Sequence, residues 1–138
     1  KNQGQALGIG RVGQWPEPRP FGQVVDELKQ IFRTPRIKIA GRPPAAVKRV
    51  ALCGGSGGEL IPLARQKGAD IFITGDLRYH QAVPWIQENM ALLDLGHYAT
   101  EVVFMPEWGR RLEADLASAS LPVEVIPDSW GEDPFRYI

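Results

Sequence analysis

Phe21, Val24, Val25, Leu28, Ile31 and Phe32 recur at helical spacing, directly after Pro20. The pattern predicts an amphipathic helix over 21–32 with proline at its start. Upstream, "GIGRVGQW" (8–15) alternates weakly and runs into the turn-rich "PEPRP". "RIKIA" alternates as a short strand and stops at "GRPP". "VKRVALC" (47–53) reads as a strand ended by "GGSGG". A helix over 59–68 follows, with Pro62 in its first turn and Gly68 as its C-terminal cap. "DIFIT" (70–74) is apolar enough for a buried strand, and "LRYHQAVPWIQEN" (77–89) has a helical pattern that Pro84 must kink or break. "MALLDL" (90–95) is the next buried strand. A helix then runs from about Tyr98, is broken near Pro106, and resumes through "EWGRRLEADLASA". "LPVEVIP" (121–127) alternates as a last strand, and "DSWGEDPFRYI" is an irregular tail whose three aromatics are expected to pack down.

From residue 47 onward strands and helices alternate, the signature of βαβ units. The expected fold class is therefore α/β: one domain over 1–138, three layers (α/β/α), with a mixed, largely parallel sheet. In such sheets ligands collect at the carboxyl ends of the strands. Three unusual loops fall at those ends: "CGGSGG" (53–58), "TGDLRYH" (74–80) and "DLGHY" (94–98). Parallel strands would bring all three to one edge.

Composition narrows the function classes. Apolar residues make up 43% and charged residues 23%, as in ordinary globular chains, and the formal net charge is zero. Without a basic excess or a Lys/Arg-rich run, an electrostatic nucleic-acid or membrane binder is not expected. A single cysteine, Cys53, allows no internal disulfide, so a reducing, cytoplasmic setting is expected. No run approaches a membrane span and no signal peptide is visible at Lys1. The chain does not open on Met, so a processed chain or a piece of a longer one is expected.

Four motifs carry candidate chemistry. "GIGRVG" matches G-x-G-x-x-G at Gly8, Gly10 and Gly13, but no strand precedes it and no helix opens within it. It is read as extended chain rather than a dinucleotide site. Gly54, Gly55, Ser56 and Gly57 lie between a strand and a helix, where backbone N–H groups suit an anion; a tight structural turn accounts for them equally well. Asp76 and His80 follow a buried strand as candidate cleft-lining catalytic groups, against the plainer roles of a helix cap and a satisfied histidine. His97 and Glu101 stand four apart, so a helix would set both on one face, able to share one metal ion, against the plainer role of a surface hydrogen bond that most such pairs have. Two ligands do not complete a zinc site, and a two-metal site needs more still.

Taken in order, "GIGRVG", "ALCGGSG", "GADIFITGDLRYHQA", "DLGHYATE" and "DPFRYI" resemble the GTP cyclohydrolase 1 type 2 homologs, the Nif-three-like proteins, from about Leu7 to Ile138. The resemblance implies two α/β halves around a dinuclear metal centre, with His97 and Glu101 as the ligands of the C-terminal half. The other ligands, a His pair and an Asp, belong to an N-terminal half in the family. This sequence has no His-His pair, so it looks like the C-terminal half alone, with residues 1–6 as a linker remnant. The resemblance further implies divalent ions (zinc, iron, manganese or magnesium, not distinguished), bound weakly at most by the isolated chain. The implied partners are the N-terminal half and further copies in a toroidal hexamer. The function implied is that of a metal-dependent, GTP cyclohydrolase-like hydrolase, with His80 a proton shuttle. Two rivals remain at this stage: a metal-binding scaffold or interaction module without turnover, and a nucleotide-binding α/β domain using "CGGSGG".

Overall fold

A computed structural model describes residues 8–128 and 131–136. The proposed linker remnant, residues 1–6, lies outside them. Strand β1 (Arg11–Pro20) leads into helix α1 (Phe21–Ile31), then come β2 (Lys38–Ala40) and β3 (Ala46–Ser56). A 3-10 turn, Gly58–Leu60, precedes α2 (Ile61–Gln66), followed by β4 (Ile71–Gly75) and the single-turn α3 (Tyr79–Ala82). β5 (Ala91–Asp94), α4 (His97–Val102) and α5 (Met105–Ser118) complete the order.

The five strands form one mixed sheet in the order β1-β3-β4-β5-β2. The three central strands are mutually parallel, and both outer strands join antiparallel. Alternation along β4 and β5 divides the core between the two faces. Ile71, Ile73, Ala91, Leu93 and Leu95 pack with Val24 and Leu28 of α1 and with Phe32 just past its end. Phe72, Met90 and Leu92 pack with Ile61 and Ala64 of α2. Both faces of these strands are thus buried, which is why their sequences read as unbroken apolar runs. Helices on both faces make the expected three layers.

Local chemistry explains the boundaries. α2 ends in a Schellman arrangement: the Gly68 N–H donates to Arg65 O and the Ala69 N–H to Ala64 O, with Gly68 at φ 72°. β1 is fastened to α1 by an Arg19–Glu27 ion pair, and the Arg19 guanidinium also lies over the Trp15 ring. "GIGRVG" runs into β1 with no helix opening inside it; the next helix starts only at Phe21.

Three sequence expectations need correction. The helix over 77–89 shrinks to α3 and a 3-10 turn, Val83–Trp85, because Pro84 has no N–H to continue the ladder. The strand over 121–127 does not form. Pro122 and Pro127 remove two ladder donors, and Leu121, Val123 and Ile126 are exposed rather than covered by a sheet. The segment instead lies beside α5: a Cβ on the buried Gly109 would stand 3.2 Å from Pro127 Cγ. In the tail, Phe135 is 77% exposed and not packed down. The other two tail aromatics, Trp130 and Tyr137, lie outside the described residues.

Candidate metal centre

Because β3, β4 and β5 run parallel, their carboxyl ends share one edge of the sheet. Asp76 follows the last residue of β4, and His97 opens α4 two residues beyond Leu95. The helical rise from His97 puts Glu101 over the same turn. His97 Nδ1 lies 2.8 Å from Asp76 Oδ2, and its Nε2 lies 3.3 Å from Glu101 Oε1. The ring is therefore held between two carboxylates, one on each nitrogen. All three side chains are about half exposed, so the group opens to solvent.

The end of β3 approaches this group through a register shift between Leu52 and Ser56. Such bulges re-aim a strand next to a site. Within it Gly55 sits at φ 62°, and a Cβ there would stand 2.5 Å from Glu101 Oε1 and 3.3 Å from His97 Nε2. Only glycine lets the backbone pass this close. At the end of β4, a Cβ on Gly75 would stand 2.7 Å from His97 N, so that residue too is small for reasons of approach.

Buried polar side chains fasten the loops. Thr74 Oγ1 accepts the Gly57 N–H (2.8 Å) and donates to Gly55 O (3.0 Å). Thr100 Oγ1 accepts the Gly55 N–H (2.9 Å) and lies 2.9 Å from both Gly96 O and His97 O. Asp94 Oδ1 accepts the Gly96 N–H (3.0 Å), while Oδ2 accepts the Leu77 N–H (3.1 Å) and pairs with Lys38 Nζ (2.7 Å). The backbone of Asp76 itself is left-handed, at φ 51°. Side chains other than glycine adopt that region at a cost on the order of 1 kcal/mol, least for Asp and Asn, so neighbouring contacts must hold it.

The electrostatics follow from these contacts. The hydrogen bond to Asp76 raises the pKa of His97 above its ordinary value; desolvation opposes it, and the charge of Glu101 adds to it. Burial raises the pKa of the Cys53 thiol, which favours its neutral form.

His97 and Glu101 fit one metal ion. Two donors about 2.1 Å from a tetrahedral ion stand about 3.4 Å apart, close to the spacing found. Asp76, on the opposite nitrogen, has the place of an outer carboxylate that orients a ligating histidine. The three groups do not converge on one point, and among the described residues no set of three or more His, Cys, Asp or Glu side chains does so.

The remaining sequence candidates are placed differently. His80 is exposed on α3, its ring edge-on to Tyr79 with centroids 5.9 Å apart. Among the described residues no hydrogen bond or ion pair joins it to Asp76, His97 or Glu101. In the loop Gly54–Gly57, the N–H groups of Gly55 and Gly57 are already given to threonine hydroxyls, which removes two donors a phosphate would need. Sequence reasoning missed Asp94, Thr74 and Thr100. A visible signal existed for one of them: Asp94 is a charge inside the apolar run "MALLDL".

The class so defined is an α/β protein that gathers one histidine and two carboxylates at the carboxyl edge of parallel strands. A family model described as Duf34/NIF3 (NGG1p interacting factor 3) matches residues 2–134, and the chain belongs to that family. A Streptococcus pneumoniae protein named GTP cyclohydrolase 1 type 2 homolog is 32% identical over 139 residues, covering 98% of this chain and 52% of the relative. A Halalkalibacterium halodurans protein of the same name is 30% identical over 137 residues, covering 99% of this chain and 37% of the relative. The solved Bacillus cereus protein related to NIF3 matches with a TM-score of 0.84 at 29% identity, covering 95% of this chain and 36% of that one. The chain spans about a third to a half of the length of these relatives. The family expected from the sequence blocks is thus the family found.

Proposed function

We propose that His97 and Glu101 are part of the donor set of a dinuclear metal centre, completed by a segment outside these 138 residues. The complete protein is then a metal-dependent hydrolase. The observation that carries this reading is the 3.3 Å spacing of His97 Nε2 and Glu101 Oε1, with the far nitrogen engaged by Asp76. Divalent ions held there would supply Lewis acidity and a water far more acidic than bulk. Imidazole nitrogen and carboxylate oxygen together suit zinc, iron or manganese, and carboxylate suits magnesium.

The chain's own residues have distinct parts. Asp76 keeps the proton of neutral His97 on Nδ1, so the Nε2 lone pair faces Glu101. Gly55 admits both donors against the backbone of β3. The half-exposed mouth leaves room for further donors and for substrate. The name carried by the relatives suggests the substrate class: GTP, its purine ring opened by water.

The test uses the full-length parent protein. Metal content and GTP consumption are measured for the unsubstituted protein, for His97→Ala, and after chelation. The reading expects bound metal and turnover, both lost in His97→Ala. Metal retained without turnover on GTP or other phosphorylated compounds would identify a scaffold, and metal content indifferent to His97→Ala would sink the site itself.

A further inference from the structure

We propose that Asp94 is the positioning residue of this site, a buried carboxylate that sets Asp76 against His97. The inference deepens the metal-site reading but rests on contacts that exist without any ion. Asp94 ends β5, is 2% exposed, and reaches both neighbouring loops at once. Oδ2 holds the N–H of Leu77, the residue after Asp76; Oδ1 holds the N–H of Gly96, the residue before His97. One rigid planar group therefore fixes the spacing of the two backbones whose side chains meet at 2.8 Å.

The chemistry requires a carboxylate. Both oxygens face donors, and only an ionised Asp or Glu is acceptor on both. An asparagine of the same shape would turn its NH2 group toward one of the two N–H groups and lose that loop. Charge strengthens both backbone hydrogen bonds. Lys38, the register partner of Asp94 on β2, neutralises the buried charge from the strand's other side. Asp76 also needs an external hold, since its backbone is left-handed, and the Leu77 N–H bond lies directly beside it.

A purely structural Asp94 would support the sheet without governing His97, and the experiment separates the two. The 15N shifts of the His97 ring are recorded for the metal-free chain at alkaline pH, where the imidazole is neutral. The unsubstituted chain should show the proton on Nδ1. In Asp94→Asn the two nitrogens should average toward a tautomer mixture, and zinc affinity, measured with zinc alone, should fall about tenfold or more. Leu93→Ala serves as a control: it loosens the same strand but should leave the ring signature unchanged. Amide exchange of the unsubstituted chain adds a test that needs no variant, because the Leu77 and Gly96 amides should be protected. The proposal is overturned if folded Asp94→Asn keeps the parental ring signature. Should that variant not fold, exchange at Leu77 and Gly96 as fast as in free loop amides overturns it instead. Absence of zinc binding by the parent protein would count against the metal reading alone, since the ring signature and amide exchange still decide this one.

Discussion

The imidazole of His97 gives its Nδ1 face to Asp76 Oδ2, 21 residues earlier in the chain, and its Nε2 face to Glu101, four residues later. The first contact sets both the proton affinity and the orientation of the ring. Asp76→Asn should therefore lower the His97 pKa toward its ordinary 6.5. Because the folded-state pKa is raised, protonated His97 stabilises the fold in full below about 6.5, the unfolded value. That contribution is lost as pH rises through the folded value. Stability should thus decline over that window in the parent chain and less steeply in Asp76→Asn, where Glu101 alone still favours the charged ring. An NMR titration of the ring with urea melts at several pH values checks both; an unmoved pKa in the variant would refute the assignment.

Gly55→Ala should disturb the site before it disturbs the fold. The added Cβ would meet Glu101 Oε1 at 2.5 Å in a left-handed backbone. A cost of about 1–2 kcal/mol is expected from the backbone alone. The displaced Glu101 should weaken zinc binding as well, which isothermal titration of parent and variant would detect.

Glu101→Gln should separate metal binding from stability. This chain carries a core on each face of its sheet and should fold without an ion. With two donors it should bind zinc or manganese weakly, far below the order of 10 kcal/mol of full structural zinc sites. Glu101→Gln should reduce that affinity further while shifting chain stability by less than about 0.5 kcal/mol. Tight stoichiometric binding by this chain, abolished in Glu101→Gln, would contradict the split-site account.

Leu93→Ala probes the core beneath the site. Leu93 is fully buried between α1 and its sheet neighbours. Its loss should cost about 2–5 kcal/mol, read from denaturant melts. A change under about 1 kcal/mol would mean the α1 face is looser than described.

The parts legible in the sequence are those whose physics is local or symmetrical. The 3.6-residue spacing of Val24 and Leu28 predicts α1, and burial on both faces makes 70–74 and 90–95 continuous apolar runs. The i, i+4 pair His97 and Glu101 is legible for the same reason. What stayed hidden depends on partners distant in the chain. The alternation of strands and helices places Asp76 and His97 at one edge, but no spacing rule gives their contact, or that of Asp94 with Leu77; those depend on the parallel register. The alternation at 121–127 misled because period two describes side-chain facing and says nothing of whether a neighbouring strand is free to pair.

The borders of the sheet bear on solubility. β1 forms one border and carries Pro16, Pro18 and Pro20, with its register slipping between Gln14 and Arg19; β2, the other border, has only three residues. Prolines offer no N–H to an incoming strand, and three residues offer too short a template. Open-ended growth by edge-to-edge stacking, the route to fibrils, is thereby discouraged at both sides. The prolines and the brevity of these border strands thus act as built-in stops against side-by-side joining of sheets between copies of this domain.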